Sequence, residues 1–142
     1  MSYDIAVQRI EEARQNQSDK LDLSALQLTE LPSQLWGLTQ LKLLDLRSNQ
    51  LTMLPEVIVQ LTNLLALDLS SNQLTTLPQA ITQLTNLHVL NLGRNQLTTL
   101  PEAIKQLTNL WSLGLYNNQL MTLPEAIIRL TSLEKQIGRA HV

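Results

Sequence analysis

The chain has 142 residues, with no cysteine and no phenylalanine. The absence of cysteine excludes disulfide bonds, thiolate zinc sites and a cysteine nucleophile. Only two histidines occur, His88 and His141, and neither has partners at the spacing of a metal site. No phosphate-binding GxxxxGK[ST] sequence is present. The sequence therefore predicts no catalytic residues, no cofactor and no metal, and it favours a protein that is not an enzyme.

The chain also lacks a strong charge and a long apolar run. Its net charge is −2, whereas nucleic-acid binding needs a clustered positive field. No stretch approaches the roughly 18 apolar residues of a membrane span. The first residues, MSYDIAVQRIEEARQ, carry charges where a signal peptide needs an apolar segment. We expect no nucleic-acid partner, no membrane partner and a cytoplasmic location.

Leucine, in contrast, is abundant and recurs at a fixed period. Five leucines lie 23 residues apart, namely Leu41, Leu64, Leu87, Leu110 and Leu133. Around the first four, the pattern L-x-x-L-x-L-x-x-N-x-L repeats. Its central leucines alternate with other residues, as in a short strand with one buried face. A period of this length predicts a repeat array in which each repeat adds one parallel strand.

Each repeat continues with a second segment, Leu-Pro-x-x-Ile-x-x-Leu-Thr-x-Leu. A proline in the same position predicts the start of a short helical turn, at Pro32, Pro55, Pro78, Pro101 and Pro124. We expect an inward-facing aliphatic side chain on each turn, from Leu35, Ile58, Ile81, Ile104 and Ile127. A buried asparagine needs hydrogen-bond partners, so we predict an amide ladder of Asn49, Asn72, Asn95 and Asn118.

Residues 41–132 carry the consensus LPxxIxxLTxLxxLxLxxNQLT almost without a flaw. In this the chain resembles bacterial leucine-rich repeat proteins of the 23-residue type. The resemblance implies an α/β solenoid, a right-handed curved array with short parallel strands on its concave face. It also implies non-catalytic recognition of a protein partner on that concave face.

The repeat boundaries predict the organisation of the domain. Residues 1–17 form a capping helix, with Tyr3, Ala6, Ile10 and Ala13 on one face. The leucine-rich repeat domain covers residues 18–136. It comprises a degenerate repeat at 18–40, regular repeats at 41–63, 64–86, 87–109 and 110–132, and a partial repeat at 133–136.

The pattern changes after Leu133. It predicts leucine at positions 136 and 138, which are Gln136 and Gly138. The last six residues, 137–142, can be back-translated into a common sequencing adapter, so we expect a non-native tail on a truncated fragment. The alternative is a short natural tail. We expect a monomer, with association through an uncapped C-terminal end as the alternative.

The N-terminal helix and the following KLDLSALQLTELP are similar to the N-termini of Roco-type and related multidomain signalling proteins. This resemblance implies an alternative function. The array would be the sensing part of a larger GTPase or other signalling enzyme whose catalytic domain is missing. A secreted effector is a further alternative, which the 23-residue period fits less well.

Two groups of exposed strand residues are candidates for partner binding. Asp22, Asp45 and Asp68 form a predicted acidic row, which is either solvated beside Arg47 or binds a basic partner. Trp111 and Tyr116 fall on one strand, where they are either binding hot spots or, for Trp111, edge packing. The predicted partner-binding residues are Asp45, Arg47, Asp68, His88, Val89, Asn91, Arg94, Trp111, Tyr116 and Asn117.

Overall fold

A computed structural model describes residues 2–121. Helix α1 opens the chain and five short strands follow. The bounds are α1 Ser2–Asn16, β1 Lys20–Asp22, β2 Leu43–Asp45, β3 Ala66–Asp68, β4 Val89–Asn91 and β5 Ser112–Gly114. The strands form one parallel sheet in the order of the sequence, β1-β2-β3-β4-β5. The predicted α/β solenoid with an N-terminal helix is confirmed.

Between successive strands the chain returns through a short 3₁₀ helix. The four 3₁₀ helices are Ser33–Gly37, Glu56–Gln60, Gln79–Gln83 and Glu102–Gln106. Each begins directly after the repeated proline, which occupies the N-cap position. The expected inward-facing side chains of these helices, Leu35, Ile58, Ile81 and Ile104, are completely buried. The expected Pro124 and Ile127 lie outside the described residues.

The core lies between the sheet and the row of 3₁₀ helices, and leucine fills most of it. Within each strand the central leucine points inward, while its two neighbours are more exposed. Leu67, Leu69 and Leu74 of one repeat are all completely buried. Burying a leucine side chain contributes roughly 1.5–3 kcal/mol. Because the same positions are filled in every repeat, the core continues along the whole described array.

The predicted asparagine ladder joins neighbouring repeats. Asn72 Nδ2 donates to the carbonyls of Leu46 and Leu69 at 3.0 and 3.1 Å, and its Oδ1 accepts from Leu51 N at 3.0 Å. Equivalent bonds are made by Asn49, Asn95 and Asn118. These amides therefore stabilise the turn that follows each strand, as expected from their burial.

A second ladder, which the sequence did not lead us to predict, runs along the return segments. Each member donates its side-chain amide to a threonine carbonyl one repeat earlier, as in Asn86 to Thr62 O at 2.9 Å. Asn63 and Asn109 make the same bond. In the first repeat Gln40 takes this position, and its Nε2 is buried without a hydrogen bond in the part of the chain that the structure describes.

Helix α1 covers the first repeat. Ala6, Ile10 and Ala13 are buried, as the predicted face requires, whereas Tyr3 remains 41% exposed. Tyr3 and Ile5 are both exposed, so contact with the core begins only at Ala6. Arg9 donates to the carbonyl of Asp22 at 2.9 Å. The helix thus also covers the outer edge of β1, whose backbone groups would otherwise be open to another strand.

Helix α1, Ser2–Asn16, lies within the segment 1–17 expected for the capping helix. Within residues 2–121, no helix is long and apolar enough to cross a membrane. The end of the repeat at 110–132, the partial repeat at 133–136 and the tail at 137–142 lie outside the described residues. The expectations for those segments, including an uncapped C-terminal end, remain predictions.

Candidate partner-binding surface

The outward-facing residues of the five strands form a continuous surface, which we call the strand face. Pairing of the strands places Leu43 beside Ala66 and Ala66 beside Val89, and it places Asp45 beside Asp68. Strands in a sheet are about 4.8 Å apart. The strand face therefore carries two straight rows. The first row is Lys20, Leu43, Ala66, Val89 and Ser112, and the second is Asp22, Asp45, Asp68, Asn91 and Gly114.

Residues of the second row also shape the turn that follows each strand. The Oδ1 atom of Asp68 accepts from the backbone N–H of Ser70 at 2.9 Å and from its hydroxyl at 2.7 Å. Asn91 Oδ1 accepts from Gly93 N at 3.0 Å without carrying a charge. Asp22 and Asp45 bond the residue two positions later in the same way. In the first four strands this position thus supplies a carbonyl-type oxygen to the turn, and a negative charge is an additional feature of the first three; Gly114 in β5 has no such oxygen.

The acidic row is formed by Asp22, Asp45 and Asp68, and its members differ in electrostatic environment. Burial raises the pKa of the Asp45 carboxyl above its usual range, and the like charges of Asp68 and Asp22 add to this effect. Arg47 opposes the shift through the hydrogen bond from its backbone N–H and through its guanidinium, whose Nε lies 3.2 Å from Asp45 Oδ2. Hydrogen bonds from the hydroxyl and backbone N–H of Ser24 lower the pKa of Asp22. The charged form of the central carboxylate is therefore less well stabilised than that of Asp22.

The two aromatic residues of β5 and its turn differ in their packing. Trp111, just before β5, is 55% exposed. Tyr116 is partly buried, and its ring lies so close to Gly93 that a Cβ at that position would overlap it. Asn91 Nδ2 donates to the Tyr116 hydroxyl at 3.5 Å. Tyr116 therefore forms part of a packed surface, whereas Trp111 presents its side chain to solvent.

Contact between Gly93 and Tyr116 was not predicted from the sequence. A signal for it exists, because the two residues occupy the same repeat position and are 23 residues apart. A glycine in a row that otherwise holds side chains leaves room for a large neighbour. The same reasoning applies to Gly114, where a Cβ would lie 2.7 Å from Asn91 Oδ1. Both glycines make space for the side chain of an adjacent strand.

The predicted site residues fall into two regions of the strand face. Asp45 and Arg47 lie on and just after β2, and Asp68 lies on the adjacent β3. Near the other edge, His88, Val89 and Asn91 lie on or beside β4, next to Trp111 and Tyr116 at β5. Three strand spacings, or about 14 Å, separate Asp45 from the β5 region. A partner that contacts both Asp45 and the β5 region must therefore extend across four strands, whereas Asp68 and Asn91 are paired on adjacent strands.

Arg94 and Asn117 lie in the turns after β4 and β5, and both have left-handed backbone conformations. Their φ values are 54°, and Ala25, Ser48 and Ser71 share this conformation in the other repeats. Such values are uncommon outside glycine and asparagine. The turn thus fixes the backbone at Arg94, whose side chain remains exposed at the margin of the strand face.

Among residues 2–121, no group of three or more histidine and acidic side chains could hold a metal ion. The strand face instead carries apolar, acidic and aromatic side chains in ordered rows. Such repetition, with one strand and one return segment in each repeat, points to a known family. The family model described as leucine rich repeat matches residues 19–74, 39–97 and 74–120. The chain belongs to the leucine-rich repeat family.

Solved structures of other leucine-rich repeat proteins are similar to the chain. A leucine-rich repeat protein of Leptospira interrogans is 40% identical, with a TM-score of 0.72 over 86% of this chain and 38% of that chain. YopM from Yersinia enterocolitica is 33% identical, with a TM-score of 0.70 over 85% of this chain and 25% of that chain. The leucine-rich repeat protein described here therefore matches well under half the length of each. Comparison with curated proteins gives no match.

Proposed function

We propose that this leucine-rich repeat protein is a non-catalytic recognition module that binds a protein partner on its strand face. Members of this family generally serve protein recognition, and their strands line the inside of a curved array. Strands are more closely spaced than return segments can be, so the strand face is the concave side in this proposal. A concave face can contact a partner over several repeats at once.

The observation that carries this proposal is the exposure of large apolar side chains on the strand face. The array buries nearly all of its leucines, yet Trp111 is 55% exposed and Leu43 is 38% exposed. Leu43 lies in one row with Ala66 and Val89 on the neighbouring strands, and exposed apolar groups that lie together commonly mark an interaction site. Tryptophan and tyrosine are also enriched among the residues that dominate binding energy. Trp111, with Tyr116 beside it, is the proposed centre of the binding surface.

The proposal is tested by measuring how substitutions on the strand face change the affinity for a captured partner. Trp111→Ala should weaken binding by at least about 30-fold, as expected when a hot-spot aromatic is lost. Tyr116→Ala should also weaken binding strongly, whereas Asp45→Ala should cost less than about fivefold, because a carboxylate that is already paired with Arg47 contributes little further binding energy. The measurement is the partner's dissociation constant by biolayer interferometry, after capture with the tagged full chain. A larger loss for Asp45→Ala than for Trp111→Ala would contradict the hot-spot assignment.

A second candidate function is the sensing array of a larger Roco-like GTPase or other signalling enzyme. The observation that favours it is the N-terminal helix followed by KLDLSALQLTELP, which is similar to the start of such proteins. Reading the gene beyond codon 136 tests it, because a downstream GxxxxGK[ST] loop is the phosphate-binding sequence expected of such a GTPase. An open reading frame that ends without this loop or another catalytic domain would exclude the second candidate.

We also propose a cytoplasmic location and a monomeric state. The lack of cysteine in a repeat protein of this kind agrees with a reducing compartment. Cell fractionation tests the location, and light scattering of the purified chain tests the monomer. Recovery of the protein in the culture medium would instead favour the secreted-effector alternative.

A further inference from the structure

We propose, on the basis of the function proposed above, that the partner presents an amphipathic helix to the strand face. This helix would lie across the strands, with a basic stripe over the acidic row and an adjacent apolar stripe over Leu43, Ala66 and Val89. Its apolar end would reach Trp111. Beyond protein recognition, this specifies the secondary structure of the partner segment, its orientation across the strands and its charge.

Pairing of the strands places an apolar row next to an acidic row. Leu43, Ala66 and Val89 are paired in register and none of them is buried. On the same strands, Asp45 and Asp68 lie two residues further along, on the same side of the sheet. A partner that covers one row therefore contacts the other. Two adjacent rows of this kind match a segment with one apolar and one basic stripe.

The acidic row has an excess of negative charge within the row itself. Asp22, Asp45 and Asp68 are in register on neighbouring strands, about 4.8 Å apart. Arg47 pairs with Asp45, and the charge of Arg9 also acts on Asp22, so two guanidinium groups face three carboxylates. The Arg47 side chain is also 56% exposed, and it can move away when another cation arrives. Lysine or arginine residues from a partner would complement this charge.

Spacing along the row distinguishes a helix from an extended segment. Two strand spacings from Asp22 to Asp68 amount to about 9.6 Å. Side chains one turn apart on a helix recur every 5.4 Å, so two turns cover about 10.8 Å. Alternate side chains of an extended peptide recur at about 6.8 Å and would cover about 13.6 Å. A helix with one cation in each turn therefore matches the spacing of three successive carboxylates more closely than an extended peptide does.

Synthetic peptides of 21 residues provide the test with the full chain. The probe peptide carries lysine once in each helical turn beside a stripe of leucines. One control peptide has glutamate in place of every lysine, and another has two central prolines that prevent a helix. Fluorescence anisotropy of labelled peptides gives the dissociation constants. We expect the lysine peptide to bind at least tenfold more tightly than either control, with weaker binding at 300 mM than at 50 mM sodium chloride.

Paired variants of the protein locate the binding. D45N/D68N should weaken binding of the lysine peptide about tenfold. Asn91 shows that an amide at this position can still bond the following turn, so the variant should keep its fold. The control E56Q/E102Q removes the same charge from two exposed glutamates on the 3₁₀ helices and should change affinity less than twofold. Circular dichroism checks that both double variants are folded.

Several results would overturn the inference. These are equal affinity for the lysine and glutamate peptides, equal affinity for the proline peptide, or no difference between D45N/D68N and E56Q/E102Q. Binding of the captured natural partner to the same variants shows whether only this inference fails or the proposed function fails as well. If that partner loses affinity on Trp111→Ala but not in D45N/D68N, the recognition function stands and the basic helix is wrong. If no strand-face variant affects the partner, both are wrong.

Discussion

Single asparagines join one repeat to the next in two different ways. Asn72 is buried, and its amide bonds three carbonyls and one backbone N–H. Asn86 is exposed and makes a single bond to Thr62 O. The buried ladder therefore leaves several backbone groups without partners when it is broken, and the exposed ladder leaves its group accessible to water.

We predict that Asn72→Ala lowers the free energy of unfolding by about 3 kcal/mol, because each buried group left unsatisfied costs about 1–3 kcal/mol. The matched variant Asn86→Ala should cost about 0.5–1 kcal/mol, since water replaces the lost bond. Urea unfolding followed by circular dichroism measures both. Similar losses in the two variants would show that burial does not set the strength of the ladder.

Asp45 gives a pH-dependent prediction. Its pKa is raised in the folded protein, chiefly by burial. The folded state therefore binds a proton on the Asp45 carboxyl more tightly than the unfolded chain does. The stability that comes from this tighter binding is fully present below the usual aspartate pKa of about 3.9, and it is lost as the pH rises through the raised pKa of the folded protein. Asp45→Asn should consequently raise the melting temperature at pH 7. The difference from the original chain should shrink as the pH falls below about 3.9.

Asp22→Asn is the matched control, because hydrogen bonds from Ser24 lower the pKa of Asp22. Its charged form is stabilised by folding, and that contribution is present above the usual aspartate pKa and lost in acid. The Asp22→Asn variant should therefore melt at a lower temperature than the original chain at pH 7. Thermal scans from pH 2.5 to 7 measure both variants, and shifts of the same sign would refute the assignment.

Much of the residue-level detail could be predicted from the sequence. The repeat period identifies which leucines and isoleucines are buried and places Asn49, Asn72, Asn95 and Asn118 in the turns. It could not show that Tyr116 packs on Gly93, because that contact depends on the size of a side chain on the neighbouring strand. Nor did it reveal the second ladder, because exposed asparagines are also common in ordinary loops and give no sign of a hydrogen bond to the preceding repeat.

On the scale of secondary structure, proline and segment length determine the return segments. Only five residues, Glu56–Gln60, separate Pro55 from the next buried leucine, Leu61. An α-helix needs more residues before its hydrogen bonds repay the cost of nucleation, so a 3₁₀ turn forms instead. The sequence predicted a short helical turn, and the structure specifies its type.

Helix α1 provides a prediction at this scale. Ile10 is 2% exposed and Ile5 is 42% exposed on the same helix. Ile10→Glu should detach the helix and cost about 3–5 kcal/mol, because it removes a buried side chain and introduces a charge. Ile5→Glu is the matched control and should cost less than about 0.5 kcal/mol.

Hydrogen exchange should localise the effect of Ile10→Glu. In a repeat array each unit contacts only its neighbours, so amides of β1 should lose protection while those of β4 keep it. Uniform loss along the described repeats would show that the array unfolds as one cooperative unit. Unchanged protection at β1 would show that α1 does not cap the first repeat.

For the whole molecule, a single repeated pattern predicts the order of the strands and the rows of the strand face. The pattern cannot identify a partner, because exposed positions are those that the repeat leaves free to vary. Their chemistry changes across the sheet, from Asp22, Asp45 and Asp68 on one side to Trp111 and Tyr116 on the other. That change is what makes the strand face a candidate for specific recognition and not a uniform scaffold.

The most direct test of strand-face recognition is photo-crosslinking in cells from two positions of the full chain. A benzoylphenylalanine replaces Leu43 on the strand face or Lys105 on a 3₁₀ helix, both of which are exposed. We expect one discrete protein adduct from position 43, at least tenfold stronger than any from position 105, and its loss when Trp111→Ala is added. Adducts of equal strength from both positions, or an adduct at 43 that persists with Trp111→Ala, would contradict the account.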